Sequence, residues 1–365
     1  MGNRRQFIKT ATGVALATLF GAGLLGQAQA ADPLKVGFVY ISPIGDAGWT
    51  YQHDQGRLQM ERALGDKVET KYIENVPEGA DAERVIRELA SSGYGLIYAT
   101  SFGYMNYVER VAKQFPQVTL MHATGYKTGK NFGNYNARFY EGRYLNGVVA
   151  GKMSKSNILG YVAAFPIPEV VMGINAFARG ARSVNPDAEV RVIWVNSWYD
   201  PGKEREAALT LISQGADMLT HHTDSTAVVQ AAEEKGVNAF SYHSDMSKYG
   251  PNAQLSGTTH QWGDFYTRTT QAVLDGSWKP ESTWGGVQQG MIETVPLNAS
   301  VPDEVRALVD KLQADMRAGS FHPFTGPVVD QDGKTRVPAG EVISDNDLGH
   351  MKYFVQGVAS KLRSN

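Results

Sequence analysis

Six aromatic residues and five ionisable ones carry the chemical interest of this 365-residue chain. Trp49, Tyr51, Phe102, Tyr104, Trp198 and Tyr199 are interspersed with Asp46, Asp200, Asp224, His243 and Asp245, in short polar stretches that follow apolar runs. Flat aromatic faces offer contact area at low entropic cost, and carboxylates and amides read ring N–H and exocyclic groups, so the set suits a planar, polar heterocycle. Each residue also has a structural reading. An aromatic side chain can be core, Asp46 and Asp200 stand beside glycine and proline where aspartate caps turns and helices, Asp245 can cap the helix after its strand, and His243 can be a structural histidine. Other chemistries find little support. His221 and His222 with Asp224 carry metal-ligating atoms, but adjacent strand residues point to opposite faces, which separates the two rings. Asp330, Asp332 and Gly333 resemble a calcium loop whose glutamate is misplaced, and read better as a hairpin turn. The sequence contains no GxxxxGK[ST], GxSxG or HExxH, and with no cysteine it has no thiolate, disulfide or cysteine nucleophile. Neither catalysis nor a metal nor a cofactor is expected.

Elements of regular length must hold these residues. Leu34-Lys35-Val36-Gly37-Phe38-Val39-Tyr40 reads as a strand and opens a series: helix 50–64, strand 68–73, helix 82–91, strand 96–100, helix 105–114 and strand 118–123. A second series follows as strand 158–163, helix 171–183, strand 189–194, helix 202–213, strand 218–220, helix 227–235 and strand 238–241. Such alternation implies buried parallel sheets. The two series echo each other, because Ser92-Gly93, Leu96-Ile97-Tyr98 and Ser101 recur 122 residues later as Gln214-Gly215, Met218-Leu219-Thr220 and Thr223. Trp49 and Trp198 are read as occupying corresponding loops. Two doubly wound, Rossmann-like lobes are therefore expected, the first over 31–139 and the second over 140–262. No proline- or serine-rich linker separates them, so 263–365, with an apolar stretch at 284–293, a helix near 302–318 and a hairpin at 332–333, is expected to cross over and complete both. Ligands of doubly wound sheets sit beyond the carboxyl ends of the strands, which singles out loops 41–51, 101–104, 196–200, 221–224 and 242–246.

The N-terminus belongs to another task. Asn3-Arg4-Arg5-Gln6-Phe7-Ile8-Lys9, an apolar run from about 11 to 25 and Ala28-Gln29-Ala30 form a twin-arginine-like export signal, removed after residue 30. The run is shorter than the roughly 20 apolar residues of a spanning helix. Gly21-Ala22-Gly23-Leu24-Leu25-Gly26 fits the dinucleotide fingerprint but lies within this leader and follows no strand. Without it the chain keeps 32 basic and 37 acidic residues, a net charge of −5, which offers no surface for nucleic acid or anionic membrane. A soluble periplasmic protein with no membrane anchor is expected.

Four stretches carry a family resemblance: Gly45-Asp46-Ala47-Gly48-Trp49, the segment 140–153 beginning Tyr140-Glu141-Gly142-Arg143-Tyr144-Leu145-Asn146-Gly147, Asp200-Pro201-Gly202-Lys203-Glu204, and Phe324-Thr325-Gly326-Pro327-Val328-Val329-Asp330. From Lys35 to about Lys361 the chain resembles the basic-membrane-protein family of ABC-transporter substrate-binding proteins, which includes purine nucleoside receptors. The resemblance implies a type I periplasmic-binding fold, two lobes on a multi-strand hinge, a permease as partner and no catalysis. It also implies that Asp46 hydrogen-bonds the base, that Trp49 shares its ligand-facing turn, that Trp198 stacks, and that Glu141 sits at the crossover beside the ligand. The family's Val-Asp-x-Asp-Gln loop, whose first aspartate grips ribose hydroxyls, stands here as Tyr242-His243-Ser244-Asp245-Met246. The lysine expected after the next strand is missing from Thr259-His260-Gln261-Trp262. Both departures favour a free base such as adenine, hypoxanthine or guanine over a nucleoside. The expected ligand-binding set is Asp46, Trp49, Phe102, Tyr104, Glu141, Trp198, Asp224, His243 and Asp245. The rival readings are a purine nucleoside-binding protein of the same system, a ligand sensor for a membrane receptor, and a nucleoside hydrolase built on Asp46, Asp224 and His243.

Overall fold

The structure, a computed structural model, describes residues 32–362; the expected export signal and the glycine-rich match within it lie outside these residues. The first series folds as β1 (Leu34–Val39), α1 (Trp49–Leu64), β2 (Val68–Ile73), α2 (Ala80–Ser91), β3 (Leu96–Ala99), α3 (Met105–Gln114), β4 (Thr119–Ala123) and β5 (Phe132–Ala137). The second folds as α4 (Phe139–Met153), β6 (Ile158–Ala163), α5 (Pro168–Val184), β7 (Glu189–Trp194), α6 (Pro201–Ser213), β8 (Met218–His222), α7 (Ala227–Lys235), β9 (Asn238–His243) and β10 (Gln254–His260). The remainder supplies α8 (Gly263–Leu274), β11 (Ser282–Gly285), β12 (Ile292–Val295), α9 (Asp303–Arg317) and a small antiparallel pair, β13 (Val328–Val329) and β14 (Thr335–Val337), which closes the turn expected at 332–333.

Two six-stranded sheets result, with the orders β11-β5-β4-β3-β1-β2 and β12-β10-β9-β8-β6-β7. All pairs in the first sheet are parallel, and in the second only β12 runs antiparallel. The 122-residue echo has a structural counterpart, since β3 and β8 hold the same slot. Continuous apolar runs such as Val36, Phe38 and Val39 in β1 or Leu159, Tyr161 and Val162 in β6 are fully buried, as helices on both faces require.

The chain passes between the lobes three times: from β5 into α4, from β10 into α8, which packs on α1, and from β11 into β12. The apolar stretch 284–293 is thus a crossover whose two ends lie in different sheets. Helix α4 is nearly all buried from Tyr140 to Gly151 and lies tightly against α5. A Cβ at Gly147 would stand 2.1 Å from the Phe177 carbonyl oxygen, so only glycine permits that approach. Trp49 follows β1 whereas Trp198 follows β7, the counterpart of β2; the two tryptophans therefore do not occupy corresponding loops.

Candidate functional site

Strand ends from both lobes meet around an interlobe cavity. The first lobe contributes Ile41 after β1, Trp49 at the start of α1, Ser101 and Phe102 after β3, and Thr124 after β4; the second contributes Glu169 at the start of α5, Trp198 before α6, His222 and Asp224 after β8, and His243 at the end of β9. Parallel strands carry their loops to one sheet edge, and two such edges facing each other form a cleft.

Five of the nine expected residues, Trp49, Phe102, Trp198, Asp224 and His243, come together here. Trp49 is held edge-on, its indole N–H donating to the Thr100 carbonyl at 2.7 Å, while Trp198 rests against Phe165 with ring centroids 5.0 Å apart. The other four lie elsewhere. Asp46 is solvent-exposed and accepts hydrogen bonds from Lys248 and Tyr249 of the second lobe. Tyr104 is core, its hydroxyl donating to the Val76 carbonyl at 2.5 Å. Glu141 accepts the Val287 N–H at 2.6 Å and fastens the β11–β12 crossover. Asp245 is exposed and satisfied by Ser247 and Gln254. Asp200 caps α6 by accepting the Lys203 N–H at 3.0 Å.

Sequence reasoning missed Ile41 as a lining residue, Ser101, Thr124, Glu169 and His222. The loop after β6 corresponds to the loop after β1, and applying the strand-end rule to it would have found Glu169. His222 was visible only as half of a histidine pair set aside for metal. Among the described residues no His/Cys/Asp/Glu group is arranged to hold a metal ion.

The wall sets a few polar groups among aromatic and aliphatic faces, and among the described residues no lysine or arginine lines it. Burial drives its protonation. Glu169 is pushed up to about 7 by desolvation, against the Asn136 amide that donates to it at 2.9 Å. Asp224 is raised well above the usual carboxylate range by burial and then by Glu204, despite accepting from Ser42 at 3.1 Å. The histidines are held neutral in the opposite direction: His260 falls to about 3, and His222 and His243 lie well below 6.5, burial being the leading cause for each. Behind the wall Arg143 is fully buried, donating to Thr220 at 2.8 Å and to the His221 carbonyl at 2.5 Å with its guanidinium 3.4 Å from the Tyr242 ring centroid. Its positive charge adds to the burial that depresses His221, to about 3, and His222. His243 has a left-handed backbone (φ 71°), places Nδ1 3.0 Å from His260 Nε2, and directs Nε2 toward Asp224 at 3.5 Å. Such a wall accepts neutral, N–H-rich ligands and offers an anion no counter-charge.

Residues 34–318 match the Bmp family model, described as ABC transporter substrate-binding protein PnrA-like. The chain belongs to this family. It is 53% identical over 347 residues to a purine-binding protein of Brucella abortus, covering 95% of this chain and 99% of that one. It is 41% identical over 302 residues to a protein of Haloferax volcanii named an ABC transporter glucose-binding protein, covering 81% of this chain and 77% of that one. A solved solute-binding protein of an ABC transporter from Aeropyrum pernix shares the fold, with a TM-score of 0.69 at 18% identity over 82% of this chain and 95% of that one. The protein is thus a substrate-binding component of an ABC transport system, with a small-molecule ligand and a permease as partner, and its relatives are binding proteins rather than enzymes.

In this structure the two lobes are joined across the cleft. Ser42 donates to Asp224, the Gly48 N–H donates to Ser244 Oγ at 2.8 Å, and the Trp198 indole donates to Glu78 at 3.2 Å, each across the cleft. A Cβ at Gly48 (φ 101°) would stand 2.1 Å from the Asp224 carbonyl oxygen, so the two loops meet only because residue 48 is glycine. Among the described residues no helix is long and apolar enough to cross a membrane.

Proposed function

We propose that this protein binds a free purine base, adenine, hypoxanthine or guanine, in the interlobe cavity and, exported to the periplasm, presents its closed form to the permease of an ABC importer. The observation that carries the reading is the lining itself: three aromatic side chains, two carboxyl groups and two neutral histidines, with no cation among the described residues. Stacking plus a few polar contacts is how planar heterocycles are held. The Brucella relative's purine binding supports the class of ligand. His243, which stands where the nucleoside pattern has its first aspartate, contacts His260 at 3.0 Å, and His260 belongs to the stretch 259–262 that lacks the lysine of that pattern. This supports a base over a nucleoside.

The test is calorimetric titration of protein unfolded and refolded to strip carried-over ligand. Adenine, hypoxanthine and guanine are expected to bind one-to-one and more tightly than their nucleosides, and Trp198→Ala is expected to weaken base binding at least tenfold, the scale of a buried aromatic anchor. The Haloferax relative's name makes glucose the informative control: heat from glucose and none from any purine overturns the assignment.

A further inference from the structure

Two cavity groups retain hydrogen-bonding capacity that the protein does not fill. Glu169 Oε2 is engaged by Asn136, but Oε1 stands 3.7 Å from His222 Nε2, too far for a direct hydrogen bond. His222 Nδ1 is buried with no partner, and its side chain is 4% exposed. A buried orphan N–H and a buried orphan lone pair are both unfavourable, but the N–H loses a strong donor. The tautomer with the proton on Nε2 therefore leaves the smaller deficit and presents an N–H beside the Glu169 oxygen. Ring contacts fix the imidazole, which lies 4.6 Å from the Tyr242 ring and 6.3 Å from Trp198. Glu169 comes from the second lobe while Asn136 is on β5 of the first, so the pair is set in place only when the lobes close.

A fixed acceptor beside a fixed donor is complementary to an N–H next to a ring nitrogen. Every purine base carries that pattern on the N9–H/N3 edge, and N-glycosylation removes it. We infer that Glu169 and His222 read the N9–H/N3 edge of the bound base and are the determinants that select base over nucleoside. The inference rests on the purine reading above and deepens it: Glu169 accepts from N9–H while His222 donates to N3.

The experiment is a four-way titration of stripped wild type and Glu169→Gln with adenine and 9-methyladenine, with matched melting curves confirming that the variant is folded. Gln is nearly isosteric, keeps an acceptor for Asn136 and differs in what it offers the ligand. Wild type is expected to bind adenine at least tenfold more tightly than 9-methyladenine. The variant is expected to lose at least tenfold for adenine and to show little distinction between the two, because the methyl group and the substitution remove the same contact. Equal adenine affinity in wild type and variant, or no preference of wild type for adenine over its methyl derivative, overturns the edge assignment while leaving base binding intact. Failure of wild type to bind any base overturns both, and the wild-type titration alone distinguishes that case.

Discussion

At the scale of single residues, six of the eight histidines, His53, His122, His221, His222, His243 and His260, are buried and held neutral. In the unfolded chain they titrate near 6.5, whereas in the folded one His122 falls to about 4 and His221 and His260 to about 3. Between these limits the unfolded state binds more protons, so stability is present above pH 6.5 and is lost as pH falls toward 3. Each group contributes up to ~1.4 kcal/mol per pH unit. Glu169 acts oppositely, its raised pKa removing stability as pH rises from about 4.3 to about 7, and Asp224, Glu141 and Glu204, also raised by burial, act in the same sense, but these are four groups against six. Melting temperature is therefore expected to fall steeply below pH 6.5; a flat profile between pH 7.5 and 5 would show that the histidines charge within the fold. Which ring faces the cavity was not legible in sequence: His221 and His222 are neighbours and both buried, yet only His222 lines it.

At the scale of elements, α4 and β5 were among those the sequence concealed, with α8, β11 and β12. Helix α4 is buried around nearly its whole circumference, so it lacks the one-sided stripe by which helices are recognised. Strand β5 reads Phe-Gly-Asn-Tyr-Asn-Ala, a composition poor in strand formers, and is held by side-chain bonds such as Asn134 donating to the Lys127 carbonyl at 3.1 Å. Both adjoin the first crossover and are the places where tertiary contacts outweigh local preference. The α4–α5 contact yields a prediction. Gly147→Ala gains helix propensity of about 1 kcal/mol, yet its Cβ meets the backbone at Phe177, and overpacking of this kind costs about 1–3 kcal/mol. The net effect expected is a melting temperature lowered by several degrees with ligand affinity per folded molecule unchanged; a raised melting temperature would show that α4 and α5 can separate freely.

At the scale of the whole molecule, the closed arrangement is fastened at the cleft mouth by Asp46 with Lys248 and Tyr249. These groups are solvent-exposed and screened by salt, so the latch sets how long the lobes stay shut more than how well the ligand fits. Asp46→Ala is expected to weaken ligand binding by less than tenfold, through faster dissociation, with an effect that fades as ionic strength rises. Stopped-flow dissociation at low and high salt measures this, and a loss as large as that of Trp198→Ala would restore Asp46 to direct ligand contact. A ligand that prefers the shut form is expected to shift the protein toward it and to lower the radius of gyration measured by solution scattering.

The sequence by itself determined the two-lobed α/β architecture, most element positions, the absence of cysteine chemistry and the family, because apolar periodicity and chain-local motifs are written along the chain. It also located Trp49, Phe102, Trp198, Asp224 and His243 in loops that line the interlobe cavity. Only the tertiary structure decided that Asp46 latches the mouth, that Glu141 fastens a crossover and that Tyr104 and Asp245 face away, while Glu169 faces in. A strand-end rule names loops, but the direction of a side chain within a loop depends on what the opposite lobe places against it. The contacts in this cleft, Ser42 with Asp224 and Asn136 with Glu169 among them, join residues from different lobes.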